Sequence, residues 1–308
     1  FVQQTGTECE FSNSDSWVIL SPIEQSIKRK IEAVGTPLKD WDINIYRGVL
    51  TGYNDAFIIS TEKRDEILAN CQSEDERKRT AELIRPILRG RDIKRYGYNW
   101  ANLWLIYIPW HFPYQFDESI KGASAKAEKA FKEQYPAVYN HMLQYKEPLS
   151  KRNKAETGIR YEWYAMQRWG AKYWEDFSKP KIIYPNMTKY MPFVYDDYAY
   201  CTNQKCFIIT GQAIAYLTAF FNSSLFKFCF RDSFPELQGG TREMSKIFFD
   251  KIPVMQVTDE MNARFKSAVN DIQNVYSKSK AMAIDFMIFD LYNLSEKEQQ
   301  VIGFVEIE

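Results

Sequence analysis

The sequence is poor in the residues most enzyme motifs need. It has no Gly-x-Gly, no Pro-Pro pair among its 12 prolines, no Cys-x-x-Cys among its five cysteines, and only two histidines, His111 and His141. A phosphate-cradling Walker loop is therefore absent. So is the glycine-rich turn that lets backbone approach S-adenosylmethionine, and so is the Asn/Asp-Pro-Pro-Tyr/Phe tetrapeptide that holds a flipped base in an amino-methyltransferase. Two histidines give little support to a His-based triad or a metal hydrolase. The cysteines (Cys9, Cys71, Cys201, Cys206, Cys229) are odd in number and scattered. Cys201 and Cys206 could be half of a metal knuckle, but the other half is missing. Reduced, mostly buried thiols and a cytoplasmic compartment are expected. No run approaches the ~18–20 apolar residues of a membrane span, so no membrane partner is expected. The chain opens on Phe1 with no signal-peptide core, and reads as a piece of something longer.

What is present is ordinary in amount and unusual in placement. The chain has 308 residues, 45% apolar and 26% charged, close to globular averages of about 45–50% and 25%. At ~150 residues per domain, that length allows about two domains. Aromatics reach 16%, which suits recognition as well as core packing. Forty Lys+Arg balance 40 Asp+Glu, which argues against a polyanion binder that works by bulk charge. Resolved by segment, the balance disappears. Residues 77–95 hold eight basic and two acidic residues, a net of +6. Residues 146–181 hold nine and five, a net of +4, interleaved with Tyr161, Trp163, Tyr164, Trp169, Tyr173 and Trp174. Residues 281–308 hold one lysine and six acids, a net of −5. Such partition is the footprint of a polyanion-binding face on a neutral molecule. Solvated helix faces are the plainer explanation, and they fit Arg77–Arg79 better, because a surface helix is predicted there.

Ser21-Pro22-Ile23-Glu24 is a capping box with proline at the first helical position. Ile23, Ile27, Ile31 and Val34 then form one stripe, and Gly35 and Pro37 end it. Residues 43–47, a turn-rich 48–54 and residues 56–59 predict strand, loop, strand. Helices are expected over 61–70 and 73–84, the second opening on a Ser73/Glu76 box. A strand follows over 103–109, and residues 115–150 are polar and mostly helical. Further strands are predicted near 181–184, 193–195 and 207–209. An apolar helix over 213–230 breaks near Asn222, and Gly239-Gly240 marks a loop. Met261, Phe265, Ala268, Ile272 and Val275 make a heptad-like stripe that Met282, Phe286 and Phe289 resume. Ser295 and Glu298 cap a last helix. The expected fold is α+β (mixed α/β): a body with a mixed, largely antiparallel sheet and flanking helices, followed by a helical tail from 256 to 308.

Two acid-x-Lys steps, Glu76-Arg77-Lys78 and Asp92-Ile93-Lys94, could belong to a magnesium-dependent nuclease. Such steps are common by chance, and neither follows Pro-Asp or an obvious strand.

Tyr46-Arg-Gly-Val-Leu-Thr-Gly-Tyr-Asn-Asp-Ala-Phe-Ile-Ile59 resembles a strand–loop–strand of the TaqI-like C-terminal specificity domain. That domain occurs in type IIG restriction-modification enzymes and related adenine-N6 DNA methyltransferases. The similarity continues in order through Arg85-Pro-Ile-Leu-Arg-Gly-Arg-Asp-Ile-Lys-Arg-Tyr96, Lys179-Pro-Lys-Ile-Ile-Tyr-Pro185, Leu217-Thr-Ala-Phe-Phe-Asn-Ser-Ser-Leu225, Gly239-Gly-Thr-Arg-Glu-Met-Ser245 and residues 284–298. No single element is diagnostic; their joint order is. The resemblance implies a target-recognition domain over residues 1–255, with 110–150 as a variable helical insertion and 256–308 docking on the body or on a missing catalytic domain. Its partners would be double-stranded DNA and the methyltransferase and nuclease domains of the full-length chain. S-adenosylmethionine and magnesium would belong to those domains, and no cofactor, metal or catalytic residue is assigned to this fragment. A separate specificity subunit of a multisubunit system is a further alternative, ranked lower because no internal repeat is visible.

Phosphate contacts need Lys, Arg or backbone amides, and base readout needs forked donors or amides. The candidates are Thr51, Tyr53 and Asn54 in the first loop; Arg89, Arg91, Lys94 and Arg95; Lys151, Arg152 and Asn153; Arg160 and the base reader Arg168; Asn186, Lys189 and Tyr190 after a strand; and Gln238, Thr241 and Arg242 beside the glycine pair. Turn chemistry competes at 51–54, and core packing is expected for at least two of Trp163, Trp169 and Trp174. The recognition reading expects 89–95, 160–168 and Arg242 to line one concave face.

Overall fold

The structure, a computed structural model, describes residues 20–198 and 200–305. Helix α1 (Pro22–Val34) starts as its capping box dictates: the Ser21 hydroxyl accepts from the Glu24 amide, and the Glu24 carboxylate accepts from the Ser21 amide. Ile27 and Ile31 are buried, whereas Val34 at the end of the stripe is exposed. Strands β1 (Gly35–Pro37) and β2 (Ile43–Arg47) follow. Next come α2 (Asn54–Phe57), β3 (Ile58–Ser60), α3 (Thr61–Ala69) and α4 (Glu74–Leu83), then β4 (Ile84–Leu88), β5 (Ile93–Lys94), β6 (Gly97–Tyr98) and β7 (Leu103–Ile106). Helices α5 (Ala125–Gln134), α6 (Pro136–Leu143) and α7 (Lys146–Lys151) fill the polar region. Then come β8 (Lys181–Pro185), β9 (Met187–Thr188), β10 (Val194–Asp196), β11 (Cys201–Thr202) and β12 (Cys206–Gly211). The rest is α8 (Ile214–Asn222), α9 (Ser224–Phe230), β13 (Arg242–Glu243), α10 (Lys246–Phe249), β14 (Pro253–Met255), α11 (Asp259–Asn274), α12 (Lys278–Leu291) and α13 (Glu296–Ile302). The fold is α+β, as expected.

Two four-stranded sheets organise the chain, one in the order β10-β8-β12-β2 and one in the order β11-β4-β7-β3. Every pairing in them is antiparallel except β11 on β4. The first sheet is covered on both faces, so β8 is buried along its whole length. The two-residue side-chain period sends Ile182 and Tyr184 into one core and Ile183 into the other. The first core joins that sheet face to α1, α8, α9, α11 and α12; the second holds the other sheet, Phe131 and Val138 from α5 and α6, and the aromatic run 161–169. The residues after 255 therefore share a core with α8 and the first sheet. No helix of the described residues is long and apolar enough to cross a membrane.

Departures from expectation have local causes. Residues 54–57 turn as a short helix rather than extending, with Ala56 and Phe57 fully buried, so β3 begins at Ile58. The Ser73 hydroxyl caps α4, but the Glu76 carboxylate does not close the box; it accepts from the amides of Gln72 and Ala137, tying α4 to α6. The tail stripe does not continue in one register. Helix α11 ends at Asn274 and α12 restarts behind the Ser277 cap, so the helical phase is reset. Val275 and Phe286 are exposed; Phe289 is buried as the stripe predicts, with Ile284 and Ile288 packing beside it.

Glu298 ties the last helix to the first. Burial alone would raise its carboxyl, but the Lys30 ammonium at 2.7 Å and hydrogen bonds from Ser295 and Ser26 hold it down at about 2, below its ordinary 4.5. A depressed carboxyl stabilises the fold above its unfolded value and loses that contribution as pH falls through its folded one. Glu298→Gln is therefore expected to be less stable than the parent at pH 7, with the gap closing between about pH 4.5 and 2. Urea unfolding at a series of pH values checks this; a pH-independent gap contradicts it.

Candidate nucleic-acid interface

The site grows from a tight hairpin. β5 and β6 pair with Lys94 opposite Gly97, so Arg95 and Tyr96 form the tip. Tyr96 is left-handed, with φ 55°. That conformation costs a non-glycine residue about 1–2 kcal/mol, whereas burying an aromatic ring contributes about 2–3 kcal/mol. Tyr96 is 1% exposed within the first core, so burial wins. Arg95 is drawn in beside it. Its guanidinium donates to the Asn222 carbonyl at 2.8 and 3.1 Å and to the Val305 carbonyl at 3.2 Å, and lies 3.9 Å from the Asp285 carboxylate. Asn222, fully buried at the break between α8 and α9, bonds both the amide and the carbonyl of Phe193, and the same carbonyl accepts from the Tyr96 amide. The hairpin tip is thus locked to the strand approach, the helix break and the tail together.

Beside this lock opens a cleft of about 840 Å³. Among the described residues, six cations line it (Arg91, Lys94, Arg95, Lys189, Lys227 and Arg231) and no carboxylate does. A shallower depression of about 370 Å³ shares Gly90, Arg91, Pro185 and Met187 with it and adds Arg89, Asn186 and Lys205. The side chains of Arg91 and Lys94 are exposed with no partner among the described residues. Lys189 is exposed over the ring of Tyr190, itself 49% exposed. Lys227 is half-buried. Burial and the neighbouring Arg95 and Arg231 push its ammonium down to about 7, against the pull of Asp285.

The structure brings together only part of the expected set. Arg91, Lys94, Arg95, Lys189 and Tyr190 share the cleft, and Arg89 and Asn186 share the adjoining depression. Arg160, Arg168 and Arg242 do not line the cleft, so the single face expected of the three clusters is not formed by those residues. Several of the candidate cations are bonded within the protein. Arg95 is the lock described above. Arg152 donates to the carbonyls of Thr51, Trp163 and Ala165 beneath the rings of Phe57 and Tyr161, and burial pushes it down to about 10. Arg242 is 7% exposed and bonds the Phe234 carbonyl, Glu236 and Asp232. Arg89 grips Asp92 through two nitrogens, at 2.8 and 3.0 Å.

The first loop also proves structural in part. Thr51 is 2% exposed and donates to Asn54, while Tyr53 packs on Tyr145. A Cβ on Gly48 would meet the Asn203 carbonyl oxygen at 2.2 Å, so only glycine fits that approach. Lys151 and Arg160 pair with Glu147 and Glu156 on the surface, and Asn153 caps a turn onto Glu156. Arg168 is exposed beside Tyr173, and Gln238 and Thr241 flank the glycine pair, Gln238 exposed. Trp163 and Trp169 are core residues, as expected. Both acid-x-Lys carboxylates are already occupied: Asp92 by Arg89, and Glu76 by two backbone amides. Neither is free to hold a metal, and among the described residues no group of three or more His, Cys, Asp or Glu could hold one.

Lys227, Arg231 and Lys205 were missed in the sequence. Lys227 carried a signal, being the lone charge in the apolar run 213–230. Arg231 and Lys205 carried none.

A family model for the TaqI-like C-terminal specificity domain matches residues 85–254. Among solved structures, the type IIG restriction endonuclease BpuSI is similar at 12% identity and TM-score 0.49, covering 88% of this chain and 33% of its own. The type IIL restriction-modification enzyme MmeI, in complex with DNA, is similar at 13% identity and TM-score 0.47, covering 88% and 34%. The chain thus spans about a third of the length of each. No curated protein matches it.

Truncating Asn222 to alanine would orphan the buried amide of Phe193 and remove one of the partners of its carbonyl. Such groups cost about 1–3 kcal/mol when left unsatisfied. Asn222→Ala is expected to lower unfolding stability by at least about 2 kcal/mol, read from the urea midpoint; a loss within noise would show that the lock is not formed.

Proposed function

The chain belongs to the family of TaqI-like C-terminal specificity domains, and from that membership we propose that it reads duplex DNA for an adenine-N6 restriction-modification enzyme without catalysing any step itself. One observation carries the reading: a cleft lined, among the described residues, by six cations and no carboxylate, on a molecule whose charges sum to zero. Phosphates are the polyanion whose spacing such a surface suits, since each neutralised phosphate releases a counterion. Arg91, Lys94, Lys189 and Lys205 take phosphates, with Tyr190 against the sugar. Arg168 and Gln238, exposed and polar, are the candidates for base edges, with Asn54 and Thr241 beside them.

The cofactor of such a reaction does not fit here. S-adenosylmethionine requires a glycine-rich turn that the sequence lacks, and the described residues of the cleft offer magnesium no carboxylate. Both belong to catalytic domains elsewhere in the full-length protein. The target sequence and the methylated position are set by contacts with those domains as well as by this chain.

Fluorescence anisotropy with a labelled duplex tests the reading. Affinity should fall steeply with salt. Arg91→Ala and Lys94→Ala should each reduce the log–log slope by about 0.9 and weaken binding to all sequences alike. Arg168→Ala should instead cost about 1–3 kcal/mol on the preferred sequence only. A flat salt response in the parent chain would overturn the proposal.

A further inference from the structure

The tail-side end of the cleft holds donors that have nothing to donate to. Lys227 projects from α9, and Arg231 lies one turn on; neither side chain has a partner among the described residues. The hydroxyl of Tyr276, which lines the same cleft just beyond α11, is buried beside the Arg95 guanidinium and finds no acceptor for its proton. Arg95 closes the back with its own bonds already made to Asn222 and Val305. The neighbouring carboxylate makes no hydrogen bond to either cation: Asp285 accepts from the Ser224 amide at 2.8 Å and hydroxyl at 2.6 Å. A lysine that is the only charge in an apolar helix, aimed into a cavity with other unmet donors, is built to receive an acceptor.

We infer that Lys227, Arg231 and Tyr276 form a phosphate subsite at the tail end of the cleft. A phosphoryl group has oxygens on several sides and can accept from donors on separate elements at once; Lys and Arg supply charge-assisted bonds, which are the strong ones. Resting on the DNA reading, the occupant is one backbone phosphodiester of the bound duplex, and the tail thereby contributes directly to binding; free phosphate has the same chemistry. The groups facing Lys227 are Arg95, Arg231 and Asp285, with Tyr276 across the cleft. With Lys227 near 7 when empty, a bound anion draws a proton onto it. Affinity should therefore strengthen as pH falls from 8 to 6, by up to roughly tenfold.

The test uses the whole chain labelled with ¹³C at lysine Cε, the Lys227 signal being assigned by its loss in Lys227→Met, or in Lys227→Arg should the first disturb folding. At pH 7.5, inorganic phosphate and, separately, duplex DNA are titrated in. The inference expects the Lys227 signal to move toward its charged position, and Lys227→Met to lose both the pH dependence and about 0.9 of the salt slope for DNA. Movement with phosphate but no DNA binding keeps the subsite and removes the DNA reading. Movement with DNA alone keeps the subsite and assigns it to the diester. A Lys227 signal unmoved by either ligand overturns the subsite, and if DNA nonetheless binds, the DNA reading survives without it.

Discussion

The buried Arg95 guanidinium is the constraint on which the rest of the architecture depends. A cation in the interior persists only if its donors are met, because an isolated charge in a low-dielectric medium is costly. Here the acceptors are carbonyls at the helix break and in the tail, with Asp285 nearby. Satisfying one side chain thus fixes three distant segments at once. The hairpin that carries Arg95 cannot move without orphaning it. Arg91 and Lys94, on the same hairpin, are consequently held outward at the wall of the cleft.

Charge is sorted by whether an acceptor is within reach. Lys181 is fully buried and pairs with Asp196 directly across the β8–β10 register at 2.7 Å, with backbone carbonyls completing its bonds. Arg152 and Arg242 are likewise absorbed by carbonyls and carboxylates. Subtracting these from the basic segments leaves Arg91 and Lys94 at the cleft, while Arg77, Lys78, Arg168 and Lys172 are exposed away from it. Neutral total charge and a one-sign cleft are therefore compatible: several acids pair with interior cations, and among the described residues none lines the cleft.

Much of the fold was legible because it is local. The capping boxes at Ser21 and Ser295, the break at Asn222 and the strands over 181–185 and 206–211 follow from residues within a few positions of one another. The sorting of cations was not legible. The acceptors of Arg95 lie 127 and 210 residues away, so nothing near it in sequence marks it as interior. Arg91, two residues past Arg89, looks equivalent to it on paper, yet Arg89 faces an aspartate three positions on and Arg91 faces open cleft. The tail register failed for a related reason: a two-helix break resets helical phase, and heptad spacing read across it carries no information. The family resemblance survived because it depends on the order of short segments rather than on which side chains face outward.

The central claim is that the one-sign cleft takes the DNA backbone. Lysine-selective chemical modification with and without duplex, read residue by residue by mass spectrometry, tests it in one experiment. The account predicts protection at Lys94, Lys189, Lys205 and Lys227, with Lys78 on α4 and Lys129 on α5 modified equally in both states. Protection at Lys78 with the cleft lysines unaffected would contradict it.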